Sequence, residues 1–122
     1  MGPKIILVDD NAVVRDMLVD LVASLGYSVD AAESGEEALA MFDRRHYDFV
    51  LTDLLMPGMT GWDVLEAVRQ RDPQIPVIII TGSPVIGDVR AAQPGVAVLK
   101  KPVDVRLLDT LIKRMLRQRL TV

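Results

Sequence analysis

Five short apolar runs recur along the chain, and each is followed by a segment of different rhythm. Lys4–Val8 (KIILV), Tyr27–Glu33 (YSVDAAE), Tyr47–Asp53 (YDFVLTD), Ile75–Thr81 (IPVIIIT) and Gly95–Lys100 (GVAVLK) have the length of strands. Ile75–Thr81 is the most apolar of them, and Tyr27–Glu33 is the weakest. A strand with no polar face must be covered on both sides. The segments between supply the cover. After Asn11, the residues Val13, Val14, Met17, Leu18, Leu21, Val22 and Leu25 recur at helical spacing until Gly26 ends the pattern. Ser34 followed by Glu37 is a capping-box signature for a second helix. Thr60 or Gly61 leads into a third helix over Trp62–Arg71, closed before Pro73. The segment from Lys101 to Leu120 gives a last helix, with Leu108, Leu111, Ile112 and Met115 inward. Its cations Lys113, Arg114, Arg117 and Arg119 gather near the C-terminal end, where the helix dipole favours them. Between Thr81 and Lys101 a helix around Ile86–Gln93 is expected to be short or irregular, because Pro84, Gly87, Pro94 and Gly95 interrupt it. Strand-then-helix, five times over, predicts an α/β fold: a five-stranded parallel sheet, doubly wound, with helices on both faces.

The 122 residues suit one domain spanning 1–122, long enough to bury a core without covalent staples. The chain has no cysteine, which removes disulfides, thiolate metal sites and cysteine nucleophiles and fits a cytoplasmic setting. No apolar run is long enough for a bilayer, so no membrane role is expected. A net charge of -3 argues against direct binding of nucleic acid.

The polar residues fall in telling places on this frame. Asp9 and Asp10 follow the first strand, Asp53 ends the third, Thr81 ends the fourth and Lys101 follows the fifth. In open parallel sheets, ligands gather outside the carboxyl ends of the strands. Three carboxylates brought together there repel unless a cation intervenes. Oxygen donors of this kind suit Mg²⁺, which binds few protein carboxylates and accepts phosphate oxygens. Lys101 adds a point charge and Thr81 a hydroxyl. A carboxylate beside such cations can act as a nucleophile towards phosphorus. Each residue also has a plainer role open to it. An acid at a strand–helix junction is often a helix cap, but Asn11 is available for that task. Asp53 could be a structural acid paired with Lys101. Pro57, Gly58 and Gly61 read as turn formers, His46 as solvated, Arg15 as facing solvent or an acid, and Trp62 as packing near the start of the third helix.

The pieces LVDDN, LTDLLMPGMTG, ITGS and LKKP, in this order on this strand pattern, make the chain similar to response-regulator receiver domains of two-component signalling. The resemblance covers essentially the whole chain. It implies a flavodoxin-like (βα)5 sandwich with strand order 2-1-3-4-5. It implies that Asp53 is the phosphoacceptor, that Asp10, Asp53 and the backbone carbonyl of Leu55 bind Mg²⁺, and that Asp9 acts on the metal through water. It also implies that Thr81 donates to a phosphoryl oxygen, that Lys101 pairs with Asp53, and that Lys101–Pro102 is a cis peptide. The implied partners are a sensor histidine kinase or phosphotransfer protein and an output partner or domain. A homodimer through the fourth helical segment, the fifth strand and the last helix is also implied. Such a domain is not an enzyme but assists its own phosphorylation and dephosphorylation.

Two departures from the family stand out. Val98 occupies the place, three residues before Lys101, where an aromatic residue is usual, and the segment between Thr81 and Lys101 is shorter than usual. They favour a rival reading, an interaction module that does not depend on phosphorylation. A second rival, an aspartate-nucleophile phosphatase, would need an acid where Leu55 stands.

Overall fold

In the computed structural model, which describes residues 2–83 and 88–120 with the side chain of Leu120 left aside, the strands are all parallel and run in the order β2-β1-β3-β4-β5. They are β1 (Lys4–Val8), β2 (Ser28–Ala32), β3 (Phe49–Asp53), β4 (Val77–Thr81) and β5 (Val96–Lys100). The α-helices are α1 (Ala12–Ser24), α2 (Gly35–Arg44), α3 (Gly61–Arg71) and α4 (Val105–Leu120). The expected order and fold class are both present.

Alternation along the strands divides the core in two. Ile6, Val8, Val50, Val77 and Ile79 point to one face, where Ala38 of α2 and Trp62, Leu65 and Val68 of α3 cover them. Ile5, Leu7, Phe49, Leu51, Ile78 and Ile80 point to the other, beneath Leu18 and Val22 of α1 and Leu108, Ile112 and Met115 of α4. The inward set expected for the last helix is thus buried. On α1 the apolar stripe is wider than the face it covers, and Val13 and Met17 remain exposed.

The helix starts follow their caps. Asn11 accepts the N–H of Val14, and Thr60 forms a reciprocal capping box with Asp63. Ser34 accepts the N–H of Glu37, but the Glu37 carboxylate reaches back one residue further than a capping box requires, to the N–H of Glu33. The last helix begins later than the apolar pattern predicts. Asp104 accepts the N–H groups of Arg106 and Leu107 and so sets the first turn at Val105.

The segment between β4 and β5 departs most from the sequence reading. Pro84, Ile86 and Gly87 lie outside the described residues. The described remainder holds a single 3-10 turn, Val89–Ala92, rather than an α-helix. Pro94 and Gly95, the latter at φ 73°, close it directly into β5. The guanidinium of Arg69, from α3, secures this junction. It donates to the carbonyls of Ile75 (2.9 Å), Pro94 (3.0 Å) and Gly95 (3.1 Å), joining the entries of β4 and β5.

Candidate functional site

Register brings the acids together. Val8 pairs with Thr52, so the residues that follow, Asp9 and Asp53, leave the sheet side by side. Thr81 closes β4 next to them, and the N–H of Lys101 donates to the carbonyl of Thr81 at 2.9 Å. Asp9, Asp10 and Asp53 each offer a carboxylate oxygen, and these oxygens all lie within 4.8 Å of one another. The ammonium of Lys101 stands 3.2 Å from Asp53 Oδ1 and 4.0 Å from Asp9 Oδ2. All four polar stations read from the sequence therefore converge on one sheet edge.

Each position has a local cause. Asp9 is 1% exposed. Its N–H donates to the carbonyl of Ala32, and its Oδ1 accepts the N–H of Asn11 at 2.9 Å. Burial raises the Asp9 carboxyl above its ordinary pKa. The Asn11 N–H opposes that shift, the charge of Asp53 adds to it, Lys101 opposes it and Asp10 adds again. Asp10 is exposed. The side chain of Asp53 is 11% exposed, and its Oδ1 also accepts the N–H of Leu54 at 3.0 Å. Buried Thr81 accepts the N–H of Ser83 through Oγ1 at 3.0 Å. This leaves the hydroxyl hydrogen free to donate elsewhere. Leu55 follows in the β3–α3 loop and is 64% exposed. Lys101–Pro102 is a cis peptide, as expected.

Three supporting residues escaped the sequence reading. The hydroxyl of Thr52 donates to the carbonyl of Asp53 at 2.9 Å. Arg15, expected to face solvent or an acid, instead donates through Nη1 to the backbone carbonyl of Asp9 at 2.9 Å. Its place on the first turn of α1, under the β1–α1 corner, was the available signal. Gly61, read as a turn former, is the first residue of α3 and packs against the backbone of the phosphoacceptor candidate. A Cβ there would lie 2.6 Å from the carbonyl oxygen of Asp53. Gly58 does form a turn, at φ 79°. His46 is solvated as expected and sits 2.9 Å from Asp48 Oδ1.

The donor set fits a hard divalent cation: three clustered carboxylates, one buried and one exposed, beside a single ammonium. Thiolate-bound metals have no ligand in a chain without cysteine. Among the described residues, no helix is long and apolar enough to cross a membrane.

The profile of the family described as "Response regulator receiver domain" matches residues 5–113. The chain is 37% identical over 117 residues to the chemotaxis protein CheY of Pseudomonas aeruginosa, covering 92% of this chain and 94% of that one. It is 32% identical over 120 residues to the probable transcriptional regulator ycf27 of Porphyridium aerugineum, covering 94% of this chain and 48% of that one. The chain thus spans about half the length of the first curated relatives it matches. Among solved structures it is similar to the response regulator protein TrrA from Thermotoga maritima in complex with Mg(2+)-BeF. The TM-score is 0.85 at 29% identity, covering 93% of this chain and 99% of that one. Strand order, converging acids and these matches agree: the chain belongs to the response regulator receiver domain family, the phosphoacceptor modules of two-component signalling.

Proposed function

We propose that Asp53 accepts a phosphoryl group from a phosphohistidine and that a partner reads the resulting change. One observation carries this reading. The Asp53 carboxylate lies within an ion-pair distance of Lys101 and shares its corner with the carboxylates of Asp9 and Asp10. That is the geometry of a nucleophile whose charge is managed on both sides.

In the transfer, a carboxylate oxygen of Asp53 forms the new O–P bond. The P–N bond of the donor breaks, and its electron pair leaves with the imidazole nitrogen. Lys101 pairs first with Asp53 and then with a phosphoryl oxygen. Thr81 donates its free hydroxyl hydrogen to another. Asp10, Asp53 and the backbone carbonyl of Leu55 would hold Mg²⁺, with Asp9 acting on it through water. When bound, the ion neutralises charge on the carboxylates and on the phosphoryl oxygens. Thr52, Arg15 and Gly61 hold the backbone beneath Asp53 and Asp9 in place before the donor arrives.

In this reading residues 1–122 form a single receiver domain acting in the cytoplasm. It is a signalling acceptor rather than an enzyme with a released product. Its phosphodonor is a sensor histidine kinase or phosphotransfer protein. Its output partner reads the face made by the 3-10 turn, β5 and α4, which is also the face for a homodimer. Val98 favours one second reading, an interaction module indifferent to phosphorylation.

Intact mass after incubation with Mg²⁺ and a small phosphodonor separates them. Wild type is expected to gain one phosphoryl group and Asp53→Asn none. Equal labelling of both removes Asp53 as acceptor. Labelling of neither, with a cognate kinase failing as well, favours the indifferent module.

A further inference from the structure

Trp62 is the single tryptophan of the chain, buried in the first turn of α3. The guanidinium of Arg90, on the 3-10 turn, stacks 4.7 Å from the centre of its ring. The same guanidinium is held by Asp88, with Nε 3.0 Å from Oδ1 and Nη2 2.8 Å from Oδ2. The side chain of Arg90 is 49% exposed, so this is a weak cation–π contact rather than a desolvated one.

Trp62 is also tied to the phosphoacceptor candidate by backbone. Its neighbour Gly61 donates its N–H to the carbonyl of Leu54 at 2.8 Å and lies against the carbonyl of Asp53. Asp53 and the start of α3, apart in sequence, are joined in space by these short contacts. A displacement of the Asp53–Leu54 backbone therefore moves the first turn of α3, and with it the ring beneath Arg90. Val98, on β5, has no ring to carry a signal along the sheet edge.

Resting on the proposed phosphorylation of Asp53, we propose that the Trp62–Arg90 contact couples the state of Asp53 to the β4–β5 connection: phosphorylation shifts the start of α3 and changes how the 3-10 turn sits on it. The route leaves through α3, not through an aromatic side chain on β5. Its weakness suits a switch, because a small shift in geometry is enough to break one exposed contact while Arg69 keeps the strand entries joined. The turn also carries Val89, 80% exposed, so its reorientation alters the apolar surface that a partner meets.

The experiment reads two signals from one sample: intact mass for the phosphoryl group and Trp62 emission for the contact. Wild type, with Mg²⁺ and a small phosphodonor, is expected to take up label and to change its emission. Arg90→Ala is expected to take up label at the wild-type rate and to lose the emission change. Arg90→Lys, which keeps the charge but not the planar stack, is expected to retain part of it. A labelled wild type with unchanged emission overturns the coupling, as does an Arg90→Ala protein that responds like wild type. Absence of label in wild type, including with a cognate kinase, overturns the phosphoacceptor reading itself and the coupling with it.

Discussion

Two regions of the sheet gather charge around aspartates, and they handle it in opposite ways. Asp30, in the middle of the edge strand β2, accepts the hydroxyl of Tyr47 at 2.7 Å and the guanidinium of Arg45 at 3.1 Å, with the Lys4 ammonium 3.5 Å away. Burial alone would raise its carboxyl. The bonds from Tyr47 and Arg45 and the charge of Lys4 outweigh that and hold it below the ordinary value. At the carboxyl edge, Asp9 and Asp53 share Lys101 with Asp10 close by, and burial pushes Asp9 upward. One cluster is balanced and supports the fold. The other is short of positive charge and weakens it. A domain keeps such a site where a ligand supplies the missing charge.

The comparison is sharpest when that charge is supplied. Mg²⁺ at a hundred times its dissociation constant is expected to stabilise the protein by about 2.7 kcal/mol, provided it binds only the folded chain. Urea unfolding with and without the ion measures this. Asp53→Asn should remove most of the effect, and Asp30→Asn should leave it intact. An equal response in both variants would place the cation elsewhere.

Breaking the balanced cluster comes next. Asp30→Ala leaves the buried hydroxyl of Tyr47 without its acceptor and is expected to cost about 2 kcal/mol. The pH signature follows from the lowered pKa. The contribution of Asp30 is complete above its unfolded value of 3.8 and is lost as pH falls through the lower folded value. Acid unfolding curves of wild type should therefore be steeper than those of Asp30→Asn below about pH 4. Coincident curves would show that Asp30 is not held as its contacts imply. Burial and then Asp30 raise the Tyr47 hydroxyl to about 12, so removal of Asp30 lowers it part of the way back.

The two clusters differ equally in how much the sequence disclosed. The four stations at the carboxyl ends were legible because each terminates an apolar run, and strand ends in a parallel sheet share an edge. Lys4–Val8 is bounded as the pattern predicts, whereas Tyr47 and Ile75 extend their runs without belonging to the strands. Their burial comes from packing below the sheet, which apolar character alone cannot distinguish from pairing. The Asp30 network was not legible, since its partners come from β1, the end of α2 and the loop before β3. Nothing in local spacing joins them. The clamp of Arg69 and the stack of Arg90 on Trp62 were hidden for the same reason: long basic side chains reach across elements, and their targets are backbone carbonyls or a ring rather than acids at a fixed offset. Gly61 was misread because a turn glycine and a close-approach glycine look alike in a sequence.

A smaller effect of opposite sign is expected at the unbalanced cluster. Asp9→Asn keeps an oxygen for the N–H of Asn11 and removes a buried negative charge. In the absence of divalent cations at pH 7 it is expected to stabilise the fold by about 1 kcal/mol, read as a higher urea midpoint. The same variant should respond less to Mg²⁺. A destabilised Asp9→Asn would mean that the attraction of Lys101 outweighs burial and repulsion together, and the contrast between the two regions would disappear.

The smallest expected effect separates the members of the balanced cluster. Arg45 is the most exposed partner of Asp30, and it pairs through a long side chain in contact with water. Such a pair contributes little, because ordering the side chain and screening by salt offset the attraction. Arg45→Ala is expected to shift stability by about 0.3 kcal/mol at low ionic strength, and the shift should shrink further in 1 M salt. Tyr47→Phe removes a hydrogen bond to the same carboxylate from a buried ring, at about 1 kcal/mol and with little salt dependence. The ratio of the two decides what holds Asp30. If Arg45→Ala were the more costly and its effect faded with salt, the cluster would be a surface charge pair. If Tyr47→Phe dominates, Asp30 is held from within the core by a neutral donor. Asp9 and Asp53, by contrast, take only backbone N–H groups as neutral donors among the described residues and share one ammonium.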